Sequence, residues 1–464
     1  MSWTALLLPV VALAANDATI APDRMLMING ERTFVLGLYE NPADDAVLDE
    51  AVRAGFNLIQ STPDVAQLDR LHNRGAYAWI NAGYNLDLST SAESRKAALD
   101  EMVKTCAEHP SMLVWEVPDE ALWNVWYGTT LWRAETEVRQ QREAIAALTN
   151  QAVAERLRAM RVKASEHWRR AEFTEAEKLA DAIWRELGQE PPRPAETMAT
   201  AATRASTMAD GLLAGYTYLK GLDTRHVVWM NHAPRNSIAQ RAAFNKAADI
   251  TGCDIYPVPM YRTEHSDLSD RSLASVGSYT RLMQAAAPEK PVWMVLQGFA
   301  WKELGERKND PEADKMRHPS YEETRFMAYD AIVNGARGVL YWGTAYTDRT
   351  APFWPDLLKV VRELADLSPV LASPEANLSI TVTYEETWGS MDRAVRVLPK
   401  QTKDGVYLIV VNEWQDPLVY TLDGLSVLNG TTFTDETTAA SATVKNGKLT
   451  LNIQPFGVHV LKSK

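Results

Sequence analysis

The run Trp115-Glu116-Val117-Pro118-Asp119-Glu120 ends an apolar segment, Met112-Leu113-Val114, with three carboxylates. A Glu just beyond a buried strand can have its pKa raised toward neutrality, which suits it to protonate the leaving oxygen of a glycosidic bond. Glu120 is therefore the candidate acid. Glu116 shares the strand parity of Glu120 but lies deeper, and is expected to pair with a buried cation or hydroxyl. Other segment ends present hydrogen-bonding groups. Asn231, His232 and Arg235 fall within five residues, and alternation puts Asp254 and Tyr256 on one side of their strand. His232 is either a ligand contact or a satisfied structural histidine. Asp254 either orients Glu120, binds a hydroxyl or activates water, or else is a buried Asp paired with Arg235 or a backbone amide.

Read as letters, WEVPDEA resembles without a gap the W-E-(L/V)-W-N-E-P segment that ends the fourth barrel strand of many clan A glycoside hydrolases. The resemblance implies a TIM barrel with Glu120 as acid/base. Asp119 stands where that clan has Asn, Pro118 where it often has Trp, and Ala121 where it has Pro. Asp119 can accept a hydrogen bond from a sugar hydroxyl. Trp342 matches the stacking platform that the clan presents beneath the sugar. Trp123 and Trp126, soon after Glu120, and Trp301, past Gln297, are further candidate walls, although a core role is the default for any one Trp.

Retaining members of the clan carry a nucleophilic Glu in patterns like P-(V/I)-W-x-T-E. This chain reads Pro291-Val292-Trp293-Met294-Val295-Leu296-Gln297, so Gln297 occupies or adjoins the nucleophile's place. An amide is too poor a nucleophile for a glycosyl-enzyme. Three readings follow. Glu40 or Asp254 serves as base for an inverting attack, which needs carboxylates roughly 6.5–9.5 Å apart. Alternatively the substrate supplies its own nucleophile, positioned by Gln297. In the third, the barrel has lost catalysis and binds glycan.

The elements that must position these residues are legible as alternation of short apolar runs with helical patterns. Strands are expected at 34–39, 56–61, 76–82, 112–117, 226–231, 250–256, 291–297 and 338–342, with amphipathic helices at 45–54, 65–74, 94–108, 321–334 and 355–367. Eight such units imply an α/β fold, a (β/α)8 TIM barrel over 24–372, with catalytic groups at the carboxyl ends of its strands. No dinucleotide-binding glycine fingerprint follows the first strand, where Gly37-Leu38-Tyr39-Glu40-Asn41-Pro42 stands. A helical insertion is expected at about 124–195, helical over 131–168 and 174–187 and broken by Glu190-Pro191-Pro192-Arg193-Pro194. It serves as a lid, a cleft wall or an arm that joins two copies, or is simply a solvated hairpin. A C-terminal antiparallel β-sandwich is expected over 373–464, with strands at 379–384, 394–398, 406–411, 418–422, 440–444 and 448–453.

A chain of 464 residues that is 46% hydrophobic can bury a large core. Its net charge of −12 opposes a nucleic-acid partner, and a carbohydrate partner is what the clan A resemblance implies. No His-x-x-x-His or Cys/His spacing points to a metal, and no cofactor is expected. Cys106 and Cys253 read as buried thiols. Residues 1–15 combine an apolar run with Ala12-Leu13-Ala14, the pattern of a secretory signal, and imply a secreted or periplasmic protein; a buried N-terminal strand is the other reading. No other stretch is long and apolar enough to span a bilayer. No G-x-S-x-G elbow supports an esterase.

Overall fold

The computed structural model describes residues 15–261, 269–384 and 394–464. The expected signal segment falls, up to residue 14, outside the described residues. Eight parallel strands close into a barrel: β1 (Val35–Leu38), β2 (Leu58–Ser61), β3 (Tyr77–Asn81), β4 (Met112–Glu116), β5 (Val227–His232), β6 (Ile250–Ile255), β7 (Val292–Gln297) and β8 (Ala336–Trp342). Closure is made by β8 on β1, with Gly338 opposite Val35 and Tyr341 opposite Leu38.

Strand alternation divides the core in two. One set of side chains meets the surrounding helices. The other fills the barrel with unusually large rings, Trp79, Trp229 and Trp293 among Val35, Leu58, Val114, Val295 and Leu340. Trp229 lies edge-on to Trp79 at 5.6 Å and tilted against Trp293 at 5.8 Å. Indoles on neighbouring strands need space opposite them. Gly338 provides it, since a Cβ there would come within 2.8 Å of the Trp293 indole. The lower mouth is closed by three short strands, Ala18–Ile20, Leu26–Ile28 and Glu31–Thr33, whose Ala18, Leu26 and Ile28 join the inner cluster.

After β4 the chain leaves the barrel along helix Ala121–Leu131, makes a π-helical turn at Trp132–Thr136 and continues as Glu137–Ala146. A helical hairpin follows, Gln151–Arg169 against Phe173–Glu186, with its own apolar cluster of Ile145, Ala154, Leu157 and Ile183. The helix expected to run unbroken over 131–168 is interrupted after Ala146, and Asn150 caps the new helix by accepting from the Val153 amide at 3.3 Å. Buried Arg133 ties the hairpin to its root through Glu137 and Asp181, each at 3.0 Å. Helix Met198–Leu222 then returns to the barrel as its fourth.

The C-terminal sandwich packs a three-stranded sheet, Thr381–Tyr384, Leu418–Asp423 and Lys448–Ile453, on a five-stranded one. The larger sheet includes Gly405–Asn412 and Val458–Ser463, which pair antiparallel. Along Gly405–Asn412, Leu408 and Val410 enter the sandwich core while Ile409 and Val411 join the barrel's outer core. Arg325, on the barrel helix Tyr321–Val333, reinforces that seam with bonds to Glu363 at 2.8 Å and Thr437 at 3.0 Å. Cys106 and Cys253 are free and buried. No helix among the described residues is long and apolar enough to cross a membrane.

Candidate active site

Glu120 follows β4 as the residue that caps helix Ala121–Leu131, yet its side chain makes no capping bond. Its backbone is left-handed, with φ 49°, a conformation that costs a non-glycine residue energy and persists where the surroundings impose it. The turn instead directs the carboxyl to Asp254 at the end of β6, and the two side chains share a hydrogen bond. Two carboxyls that close cannot both ionise at neutral pH. Burial, and then the charge of Asp119, raises Glu120 to about 7, opposed by the Asp254 hydrogen bond and the Arg235 guanidinium. Asp254, only 3% exposed, is raised well above the carboxylate range by burial and then by the charges of Glu120 and Asp119. The pair thus loses the first of its two protons near pH 7 and keeps the second above it.

Asp119 opens onto the cleft water, but the protein packed around its carboxyl still raises it; hydrogen bonds from Asn231 and Tyr39 oppose the rise. Asn231 Nδ2 donates to Asp119 Oδ1 at 2.8 Å, and the Tyr39 hydroxyl stands 3.5 Å from the same oxygen. Beneath them Glu116 is wholly buried. Its Oε1 lies 2.6 Å from the Tyr39 hydroxyl, from which the ionised carboxyl accepts, and its Oε2 accepts from the Trp79 indole at 3.0 Å. Burial, then the Asp119 charge, pushes Glu116 up to about 8.

Aromatic walls enclose this floor in a cleft of about 660 Å³, lined among others by Tyr39, Asp119, Glu120, Asn231, Asp254 and Tyr256. On one side Tyr256 stacks on Trp342 at 5.5 Å and 20°, and Trp301 meets Tyr256 edge-on at 6.2 Å. On the other, Trp123 is sandwiched. Tyr127 stacks on it at 4.8 Å and the Arg235 guanidinium lies over the ring at 3.7 Å, necessarily on the opposite face. Trp123 therefore offers the cleft an edge, not a stacking face. Glu135, on the π-helical turn of the insertion, also lines the cleft, so the root of the insertion is a cleft wall.

Four residues selected from the sequence are placed outside that lining. Trp126 packs its ring against the barrel's outer core. Glu40 is ion-paired with Arg349, whose guanidinium rests over Trp354 at 4.0 Å; it is committed to holding the loop after β8. His232 neighbours Asn231 on β5 and so points the other way, toward Asn245 Oδ1 at 2.8 Å; burial drops it to about 4 and keeps it neutral. Gln297 is fully buried and bonded to the backbone of Val258 and Phe299. Asp119, Glu120, Trp123, Asn231, Asp254, Tyr256, Trp301 and Trp342 are brought together. Tyr39, Tyr127, Glu135 and Arg307 also line the cleft and were not selected from the sequence. Strand parity at the end of β1 was the available signal for Tyr39; the others depend on loop and insertion geometry.

A second groove of about 820 Å³ opens over β1 to β3, lined by residues including Asn41, Gln60, Gln67, Arg70 and Asn81, but it holds no carboxyl pair. Among the described residues no group of three or more His, Cys, Asp or Glu side chains is arranged to hold a metal ion.

No protein-family model matches the chain. No curated protein sequence matches it either. Solved structures do. A glycoside hydrolase aligns over 96% of this chain and 96% of its own at 14% identity, with a TM-score of 0.52. A glycoside hydrolase family 5 protein from Bacteroides vulgatus ATCC 8482 aligns over 96% and 93% at 13% identity and a TM-score of 0.53. A beta-galactosidase from Bacillus circulans sp. alkalophilus aligns over 93% and 99% at 10% identity and a TM-score of 0.51. The likeness is one of fold and extends through barrel and C-terminal domain: the chain has the architecture of TIM-barrel glycoside hydrolases.

Proposed function

We propose that the protein is a glycoside hydrolase in which Glu120 and Asp254 form the catalytic pair. The observation that carries this reading is the hydrogen bond between these two carboxyls, at the ends of β4 and β6, on the floor of an aromatic-walled cleft. A pair that shares one proton supplies what glycosidic cleavage needs, an acid for the leaving oxygen and a carboxylate for the anomeric centre. Direct contact leaves no room for a water between them. It favours the shorter spacing of double displacement, roughly 5–5.5 Å, over the wider gap of inversion. Asp254 then attacks the anomeric carbon as Glu120 protonates the departing oxygen. Glu120, now a carboxylate, takes a proton from the water that releases the sugar from Asp254 and restores both groups.

Asp119, Asn231 and Tyr256 supply hydroxyl partners around the reacting ring, with Trp342 and Trp301 as its wall. The fold likeness to glycoside hydrolases supports the assignment without naming the sugar. The apolar run in residues 1–15 supports export to the periplasm or beyond.

A second reading, glycan binding without turnover, is favoured by one observation: β7 presents an amide, Gln297, locked to backbone. The test is incubation of the protein and its Glu120→Gln and Asp254→Asn variants with plant, algal and host polysaccharides, with released sugars read by chromatography. Release abolished by both substitutions supports hydrolysis, and the anomer first formed, read by NMR, decides retention. Binding without release from any substrate overturns the enzyme reading.

A further inference from the structure

Glu116 is a buried carboxyl that the reaction above does not use. It is met by the Tyr39 hydroxyl from β1, by the Trp79 indole and the Asn81 side chain from β3, and by the charge of Asp119 beyond its own strand. No Lys or Arg is among these groups. A charged carboxyl with no cation beside it is expensive to bury, so this side chain carries a proton at neutral pH. Oε2 accepts from Trp79, which leaves the proton on Oε1, facing the Tyr39 oxygen 2.6 Å away. The single hydroxyl hydrogen of Tyr39 is then available to its other neighbour, Asp119 Oδ1, which already accepts from Asn231.

We propose that Glu116 and Tyr39 are positioning residues for the acid. The buried proton of Glu116 turns the Tyr39 hydroxyl toward Asp119, and this second donor holds Asp119 as a carboxylate beside the Glu120–Asp254 pair. The proposal rests on the glycosidase reading for its consequence, though not for its geometry. An ionised Asp119 disfavours a second negative charge on the pair and so keeps the pair's proton in place. When Glu116 loses its proton, the Tyr39 hydrogen turns back to it and Asp119 keeps Asn231 alone. The same chain conducts a proton. Transfer from Glu116 Oε1 to the Tyr39 oxygen, with transfer from that oxygen to Asp119 Oδ1, moves one proton from Glu116 to Asp119 and leaves Tyr39 unchanged. The charged and titratable groups facing the chain are Glu120, Asp254, Tyr256 and Tyr84, the last through Asp119, with Arg235 acting on the Glu120–Asp254 pair.

Two readouts on the full-length protein test this. Infrared difference titration follows the carboxyl groups without any substrate. A carboxyl that titrates above neutrality should vanish in Glu116→Gln and move to higher pH in Tyr39→Phe, which loses a donor to the ionised form. The pH profile of kcat/KM supplies the second. Tyr39→Phe and Asp119→Asn should move the alkaline limb down by roughly one pH unit. Glu116→Gln, whose amide still donates to Tyr39 and accepts from Trp79, should not lower it. Equal losses in kcat with an unmoved limb in all three variants would make Glu116 a merely structural acid and overturn the proposal, as would the absence of a carboxyl titration that Glu116→Gln removes. If no substrate is hydrolysed, the glycosidase reading fails while the infrared titration still decides the hydrogen-bond chain. Should Tyr39→Phe not fold, Asp119→Asn and Glu116→Gln decide between the same outcomes.

Discussion

The side-chain amide of Gln297 grips the backbone of Val258 in both directions, donating to its carbonyl and accepting from its amide at 2.9 Å each. A third bond runs from Nε2 to the Phe299 carbonyl at 3.0 Å. Gln297 thus continues the β6 to β7 pairing past the end of the strands and fixes the segment that follows Asp254 and Tyr256. In Gln297→Glu a carboxylate faces two carbonyl oxygens to which it cannot donate. Each buried group left unpaired costs about 1–3 kcal/mol. The variant should melt several degrees lower and gain no turnover, as thermal denaturation and the sugar-release assay will show. A rise in hydrolysis would locate the nucleophile on β7 and remove Asp254 from that role.

The proposed Glu120–Asp254 pair predicts a particular pH response. Glu120, raised to about 7, is protonated below that pH and ionised above it. The mechanism needs one proton on the pair. Activity should therefore rise as the pH passes about 7, where the doubly protonated pair loses its first proton and a carboxylate becomes available, and fall at higher pH, where the second proton leaves. Glu120→Gln removes the donor and should lower kcat by roughly 10²–10⁴-fold for substrates with poor leaving groups. Substrates whose leaving group departs unaided should be far less affected in the first step. A variant that retains full kcat on an unactivated glycoside would exclude Glu120 as the acid.

Arg235 lies close enough to Glu120 and Asp254 to lower the proton affinity of Glu120, and its guanidinium is held flat on Trp123. Removing the cation should raise the affinity of the pair for its proton, so the alkaline limb of kcat/KM in Arg235→Ala should move to higher pH. Arg235→Lys keeps the charge but not the planar stacking surface. It should hold the limb near its original place while loosening the Trp123 wall, which appears as a higher KM. If Ala and Lys variants share one pH profile, the charge of Arg235 does not act on the pair.

The barrel was legible because parallel strands buried on both faces read as apolar runs, and all eight expected strands fall within two residues of their observed positions at every end. Shorter elements lacked that signal. Strand Thr432–Asp435 alternates polar residues in four positions, and Ala18–Ile20, Leu26–Ile28 and Glu31–Thr33 have three residues each. Val458–Ser463, central in its sheet, was also missed. The site was legible where strand parity and a local motif agreed, as at Glu120, Asp254 and Tyr256. Parity also forbids adjacent Asn231 and His232 from sharing the cleft, a constraint that the amino-acid order alone carries. Glu135 was invisible because a π-helical turn in the insertion brings it to the cleft, and the ion pair of Glu40 joins residues 309 positions apart.

Glu116 makes a prediction about stability that does not depend on any reaction. Its folded-state pKa of about 8 lies above the ordinary value of 4.5, so the folded protein binds this proton more tightly than the unfolded chain. The associated stabilisation is fully present below about pH 4.5 and is lost as the pH rises through about 8. Over that window the wild-type protein should lose up to a few kcal/mol through this group alone, since a tenfold difference in proton affinity between the folded and unfolded chain corresponds to about 1.4 kcal/mol. Glu116→Gln has no proton to lose and retains a partner for both Tyr39 and Trp79. Its melting temperature should therefore fall less than the wild type's between pH 5 and pH 8, and the two curves should converge or cross as the pH rises. Parallel curves across that range would show that Glu116 does not titrate there, and that its burial is balanced by a partner other than its own proton.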